Sequence, residues 1–250
     1  MTRTLSDARV LLVTSAALLA LLSGCTPTPA PAPTETPTAS PEASATTEPE
    51  PPSRPALEDL ALSSEGLGTL RFGEVPESDP ALSMVAFNPT ACTDAETGES
   101  FGIVAGDPLA GAWVIDPAYI VDPEPFNSGA TFGVGVDADA GNIVTRIDLY
   151  SGDIPTDGGV RIGDDRADVV AGHPSAALVE SYLTDIYVVT GPTGILQIEV
   201  ASRSTPDEDV YWDSVDIPDG RVLYIHAVTT ALGVFSVAAS GNVVGGCNFG

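Results

Sequence analysis

The chain has 250 residues, a formal charge of −26 and no lysine, its nine basic side chains all being arginine. So acidic a surface repels phosphate backbones and anionic headgroups, which disfavours nucleic acid and a peripheral membrane patch. Without lysine there is no P-loop phosphate grip, no Schiff-base lysine and no Ser-x-x-Lys nucleophile.

Arg3 and Arg9 open a short cationic start, followed by the apolar run Val10–Leu22 and then Leu22-Ser23-Gly24-Cys25. This is the three-part pattern of a secretory signal. The apolar run is too short to span about 30 Å of hydrocarbon, which takes about 20 residues. The last four residues resemble the bacterial lipobox. That resemblance implies a signal peptide over 1–24, and a lipoprotein whose mature N-terminus is Cys25, acylated with fatty chains such as palmitate. The protein is then expected at the extracytoplasmic face of the cell membrane, held there by its lipid. The alternative is an ordinary secretory signal with an incidental cysteine.

From Thr26 to Ala56 the chain holds ten Pro, seven Thr and six Ala, with no aromatic and no aliphatic residue larger than Ala. Such a stretch cannot bury a core, so residues 25–56 read as the lipidated cysteine and a disordered, extended spacer. Its Thr and Ser are compatible with O-glycosylation, by composition alone.

Residues 57–250 are long enough for one sizeable domain or two small ones, and carry a charge of −24. With Cys25 assigned to lipid, Cys92 and Cys247 are left to pair as a disulfide in an oxidising compartment.

Within this part, Leu70-Arg71-Phe72-Gly73-Glu74 matches Val160-Arg161-Ile162-Gly163-Asp164 at an offset of 90 residues. Trp113 matches Trp212, and Phe132 with Gly141-Asn142 matches Phe235 with Gly241-Asn242. The anchors keep their order, so two tandem repeats are expected, over 57–157 and 158–250. A helix is predicted over 164–172, where acids favour the first turn and Gly172 with Pro174 ends it. A second, less clear one falls over 77–87. Hairpins are predicted from 131–136 with 143–150, from 185–190 with 194–201, and from 222–228 with 233–238, on β-branched and aromatic content. The fold class is α+β: in each repeat a short helix on antiparallel sheet.

The phrase Gly159-Val160-Arg161-Ile162-Gly163-Asp164, followed by a helix and His173-Pro174, resembles the opening of a small helix-plus-sheet module. That module occurs in outer-membrane assembly lipoproteins and, in tandem, in β-lactamase inhibitory proteins; the chain is also similar to secreted actinobacterial lipoproteins. The resemblance implies a non-catalytic, protein-binding role. This chain has Asp164 where the module usually has methionine, and no binding residue carries over.

Chemistry is sparse. The only histidines are His173 and His226. His226 would share a strand face with Tyr224, either as a general base or, more plainly, as a strand histidine. His173 sits at a helix end, where a cation suits the dipole. No nucleophile elbow or zinc motif is present. Asp137-x-Asp139-x-Gly141-Asn142 approaches a calcium loop but lacks its fifth ligand and its bidentate Glu, and reads as a turn. Asp207, Asp209 and Asp213 are the remaining calcium candidates, against the plainer reading of a solvated acidic loop. Trp113 and Trp212 read as core.

No cofactor is expected. The reading is a non-enzymatic envelope lipoprotein whose domain binds a protein or a small ligand. The alternatives are an exported hydrolase of cell-wall or peptide substrates, or a calcium-dependent adhesion or sensor domain. Carboxylates converging on His226 would favour the hydrolase.

Overall fold

The computed structural model describes residues 53–94, 98–100, 102–123, 128–245 and 247. The expected signal peptide, Cys25 and most of the spacer lie outside these residues. Among the described residues no helix is long and apolar enough to cross a membrane.

In chain order, a 3-10 turn at Leu57–Asp59 leads into a small antiparallel sheet of β1 (Leu62–Ser63), β2 (Gly66–Leu67) and β3 (Leu70–Arg71). Two separate ribbons follow, β4 (Val85–Asn88) with β7 (Ala112–Ile115), and β5 (Glu99–Ser100) with β6 (Ile103–Val104). The main sheet has β8 (Phe132–Asp137), β9 (Ile143–Leu149), β10 (Ala177–Glu180), β11 (Thr184–Thr190), β12 (Gly194–Ala201) and β13 (Val222–Thr229). Its spatial order is β10-β11-β12-β13-β9-β8, every pairing antiparallel. Helices α1 (Arg166–Gly172), α2 (Pro206–Ser214) and α3 (Val237–Ser240) punctuate the second half. The α+β class holds, weighted heavily toward antiparallel strand.

β12 lies at the centre, and all eight of its residues are buried. Alternation sends Leu196, Ile198 and Val200 to one face and Ile195, Gln197 and Glu199 to the other. The first face joins Ile147, Leu149, Ile225 and Ala227 in the main core, beneath Leu62, Leu67, Leu70 and Phe72 of the N-terminal strands. The opposite face lies beneath the C-terminal segment 233–245, which runs back over the sheet as a strap. Cys92 and Cys247 form the expected disulfide, Cα–Cα 5.1 Å, and fasten the strap's end.

Two predicted hairpins are present, β8–β9 and β11–β12. The third is not: β13 forms, but 233–238 is strap and the start of α3. Ser236 caps that helix through Ala239 N, and Gly241 ends it at φ 65°. The helix expected over 77–87 is also absent; Pro80 falls inside it, and β4 begins at Val85.

Nor are there two repeats of common design. The described residues belong to one compact unit. β8 and β9 from the first half complete the sheet of the second. Trp113 stands in a strand and Trp212 in a helix, so the matched tryptophans are not equivalent. What the first matched phrase does share is a turn. Glu74 N bonds Arg71 O, and Asp164 N bonds Arg161 O, each at 3.2 Å, with Gly73 and Gly163 at φ 81° and 93°. That is the positive φ at the third turn position which glycine supplies.

Order reaches slightly into the expected spacer. Arg54 pairs with Asp116 and donates to Pro80 O, and the Tyr119 hydroxyl donates to Pro55 O at 2.7 Å.

Candidate functional site

The face beneath the strap carries an unusual run of buried polar side chains. Register places Gln197 opposite His226 and His226 opposite Asp148, with Arg146 and Glu199 one step away on the same face. All five are buried. A buried charge must be paired and hydrogen-bonded, and most of the partners here come from the strap.

Arg146 holds Asp148 through two bonds of 2.7 Å and donates a third, 2.7 Å, to Asn242 O. Asp148 also accepts from Val244 N at 3.0 Å. The Glu199 carboxylate accepts from Thr184 Oγ1 at 2.9 Å, Ser236 Oγ at 2.7 Å, Ala238 N at 3.3 Å and Val237 N. Gln197 bonds both ways, donating to Gly233 O and accepting from Phe235 N. The Phe235 ring meets both the imidazole and the guanidinium, stacked on His226 at 4.9 Å and with Arg146 over it at 4.7 Å. The strap is thus docked by charge-assisted bonds at Glu199, Asp148 and Arg146.

His226 is the exception. It is 1 % exposed, and neither ring nitrogen has a hydrogen-bond partner. Burial, reinforced by the Arg146 charge, pushes its pKa down to about 3. Glu199 Oε1 stands 3.9 Å from Nδ1, too far for a hydrogen bond, and a neutral imidazole forms no ion pair. Beside His226 lies a cavity of about 140 Å³ between the strap and the ends of β9 and β13, where Asp148, Tyr150 and Tyr224 also line the wall. Burial raises the pKa of Asp148 and of both tyrosine hydroxyls. Carboxylates do flank His226, as a hydrolase would require. No hydroxyl is bonded to it, however, and so depressed a pKa makes it a poor base.

His173 is buried and neutral rather than a cation at a helix end. Its Nε2 meets Thr156 Oγ1 at 2.8 Å, and burial lowers its pKa. Asp137 serves the β8–β9 turn, accepting from Ala140 N at 3.0 Å, while Asp148 lies in the buried row.

The calcium candidates do not converge. Asp207, Asp209 and Asp213 lie on α2, a helix and not the expected loop. Positions two apart diverge on a helix, whereas Asp209 and Asp213 share a face that Arg203 neutralises, at 3.8 and 2.5 Å. Among the described residues no group of acids, histidines or cysteines could hold a metal ion. The sequence does signal α2: Thr205-Pro206-Asp207-Glu208 is a capping box with Pro in the first turn, and both reciprocal bonds form. Trp212 is core, its Nε1 donating to Leu183 O and Ser202 O; Trp113 packs at the core's margin.

A second feature had no sequence forecast. β10 is an edge strand with all four residues exposed. Ser181 N bonds Thr184 O, and alternation from there turns the N–H and C=O of Leu178 and Glu180 to the open side. Leu178, Val179 and Tyr182 are 53 %, 40 % and 59 % exposed.

No family model, curated protein or solved structure matches the chain.

Proposed function

We propose that this chain is an exported lipoprotein, acylated on Cys25 and held at the extracytoplasmic membrane face. Its folded part is a non-enzymatic binding module, which pairs an extended, cationic segment of another protein with β10. The β10 edge carries this reading. Edge strands are usually blunted by charge, proline or cover. Here the edge carries one charge, Glu180, and its two outward amide and carbonyl sets stand beside exposed Leu178, Val179 and Tyr182. Strand addition uses such groups for affinity and neighbouring side chains for specificity. The charge of −24 over residues 57–250 favours a cationic partner and opposes pairing with a second copy.

The hydrolase alternative draws on Glu199 and Asp148 beside His226, but rests on a base that is neutral, buried and unlinked to a nucleophile. A photo-crosslinking residue at Leu178 tests the binding reading in the native envelope. Position 178 is expected to give one dominant protein adduct, and the equally exposed position 109 none. Equal adducts at both, or none at 178, would contradict it. The anchor is tested separately: Cys25→Ser is expected to release the protein from the membrane, and retention would refute lipidation.

A further inference from the structure

We propose that the partner strand runs antiparallel to β10 and carries, in chain order, a basic residue, any residue and an apolar residue. The basic side chain enters a recess beside Glu180, and the apolar one covers Leu178. This pattern rests on the strand-addition reading and gives it an orientation and a register.

Orientation follows from the ladder. Leu178 and Glu180 each turn both N–H and C=O to the open side. In an antiparallel pair one residue directly opposite exchanges both bonds, whereas parallel bonds are slanted and the pairing is slightly weaker. Residues directly opposite also share a face. Partner positions facing Glu180 and Leu178 therefore put their side chains on the face of those two residues. The position between them falls with Val179 on the other face.

The face of Glu180 and Leu178 decides the side chains. Beside Glu180 opens a recess of about 540 Å³, whose walls include Tyr182, Asp185, Ser204 and Glu208. Its charged lining groups are all carboxylates. Asp185 is neutralised by Arg166, and Glu208 accepts from Ser204 Oγ and Thr205 N at 2.9 Å each. Glu180 is exposed, and among the described residues no arginine pairs with it. It therefore keeps its acceptors free for a cation that stays in contact with water and bears little desolvation cost. Tyr182 is 59 % exposed and adds aromatic surface, which attracts a cation. The turn that carries it is braced: Leu183, at φ 73°, is buried with Trp212, whose Nε1 donates to Leu183 O. Two residues along, Leu178 is 53 % exposed and uncharged, and an apolar side chain opposite it removes that surface from water.

The test is an NMR titration of the full chain, carrying Cys25→Ser, with two capped pentapeptides of one composition, Thr-Arg-Val-Leu-Thr and Thr-Leu-Val-Arg-Thr. Laid antiparallel on β10, the first sets arginine opposite Glu180 and leucine opposite Leu178 together, and the second cannot. The first is expected to bind about fivefold tighter, with its largest amide shifts at Leu178 and Glu180. Glu180→Gln should weaken the first peptide about fivefold, the upper range for an exposed ion pair, and leave the second unchanged. Equal affinities with shifts retained at β10 would overturn the pattern and leave strand addition standing. An unchanged affinity of the first peptide in Glu180→Gln would do the same. No shifts at β10 with either peptide would overturn strand addition itself, and the pattern with it.

Discussion

Gly133 lies directly against Val244: a Cβ built on Gly133 would stand 2.2 Å from the Val244 carbonyl oxygen and 2.4 Å from the Tyr150 hydroxyl. Gly135, two residues on, is crowded more mildly: a Cβ there would stand 3.2 Å from the Arg146 Cβ and 3.3 Å from the Val244 side chain. The glycines of Phe132-Gly133-Val134-Gly135-Val136 therefore leave one side of β8 bare, and the strap settles there. Their need is close approach, not an unusual φ.

Gly133→Ala should lift the strap, because the obstruction is backbone and cannot rotate away. A loss of about 1–3 kcal/mol is expected from overpacking. Urea denaturation at pH 7 measures it. An unchanged midpoint would mean that the strap does not rest on β8.

Removing the disulfide with Cys92→Ser and Cys247→Ser opens a link across 155 residues of sequence. The chain-entropy model gives a loss of about 5 kcal/mol. The local signature is more telling. Amides of Val237, Ala238 and Val244 should exchange faster than those of β12, since they bond to side chains of the sheet. Uniform acceleration across the sheet would show that strap and sheet open together.

Glu199→Gln keeps the shape but replaces one acceptor oxygen with a donor, facing the Val237 and Ala238 amides and the Thr184 and Ser236 hydroxyls. Bonds to a charged group contribute about 1.5–3 kcal/mol each, and rearrangement recovers part of the loss. A destabilisation of about 2–4 kcal/mol is expected in chemical denaturation. A change below about 0.5 kcal/mol, the range of ordinary surface substitutions, would mean that the carboxylate is not needed to hold α3.

Acid should weaken the fold through His226. Its pKa is about 3 in the folded chain, against about 6.5 for an unperturbed histidine. The unfolded chain therefore holds the extra proton between those values, so stability falls as pH drops from about 6.5 toward 3. Arg146 and Asp148 on β9 and Glu199 on β12 are the charged groups facing the ring. Comparing wild type with His226→Phe isolates this effect from the carboxylates. The variant should lose less stability between pH 6.5 and pH 5; parallel curves would refute it.

Much of the fold was legible from residue pattern. Thr131–Val136 and Ile143–Tyr150 announced a hairpin by β-branched content around a polar turn, and it forms. Helix α1 was legible from its acids and its Gly172 stop. The matched phrases do not mark two units of common design, because Arg-x-Gly-acid encodes a turn rather than a module, and two turns of one type do not specify a repeated fold. The 233–238 segment looks like a strand on local content, with Val234, Phe235 and Val237 close together. Its course is set instead by Gln197 and Glu199, 36 to 39 residues earlier. Nothing local could announce that. The site was half legible. His226 and Tyr224 were placed on one face, as found, but the strap that covers them depends on tertiary contacts. The capping box Thr205-Pro206-Asp207-Glu208 is a local signal for α2, which the acids that follow it obscure.

The most direct measurement is an NMR titration of the full chain, carrying Cys25→Ser, with an alternating lysine–valine hexapeptide. Saturable amide shifts are expected at Leu178 and Glu180, spreading to the Ser181–Leu183 turn. They should vanish in Leu178→Pro, which removes only an outward N–H and leaves the β10–β11 ladder intact. An alternating glutamate–valine peptide should produce none. Absent shifts at β10, or shifts that persist in Leu178→Pro, would contradict strand addition at this edge.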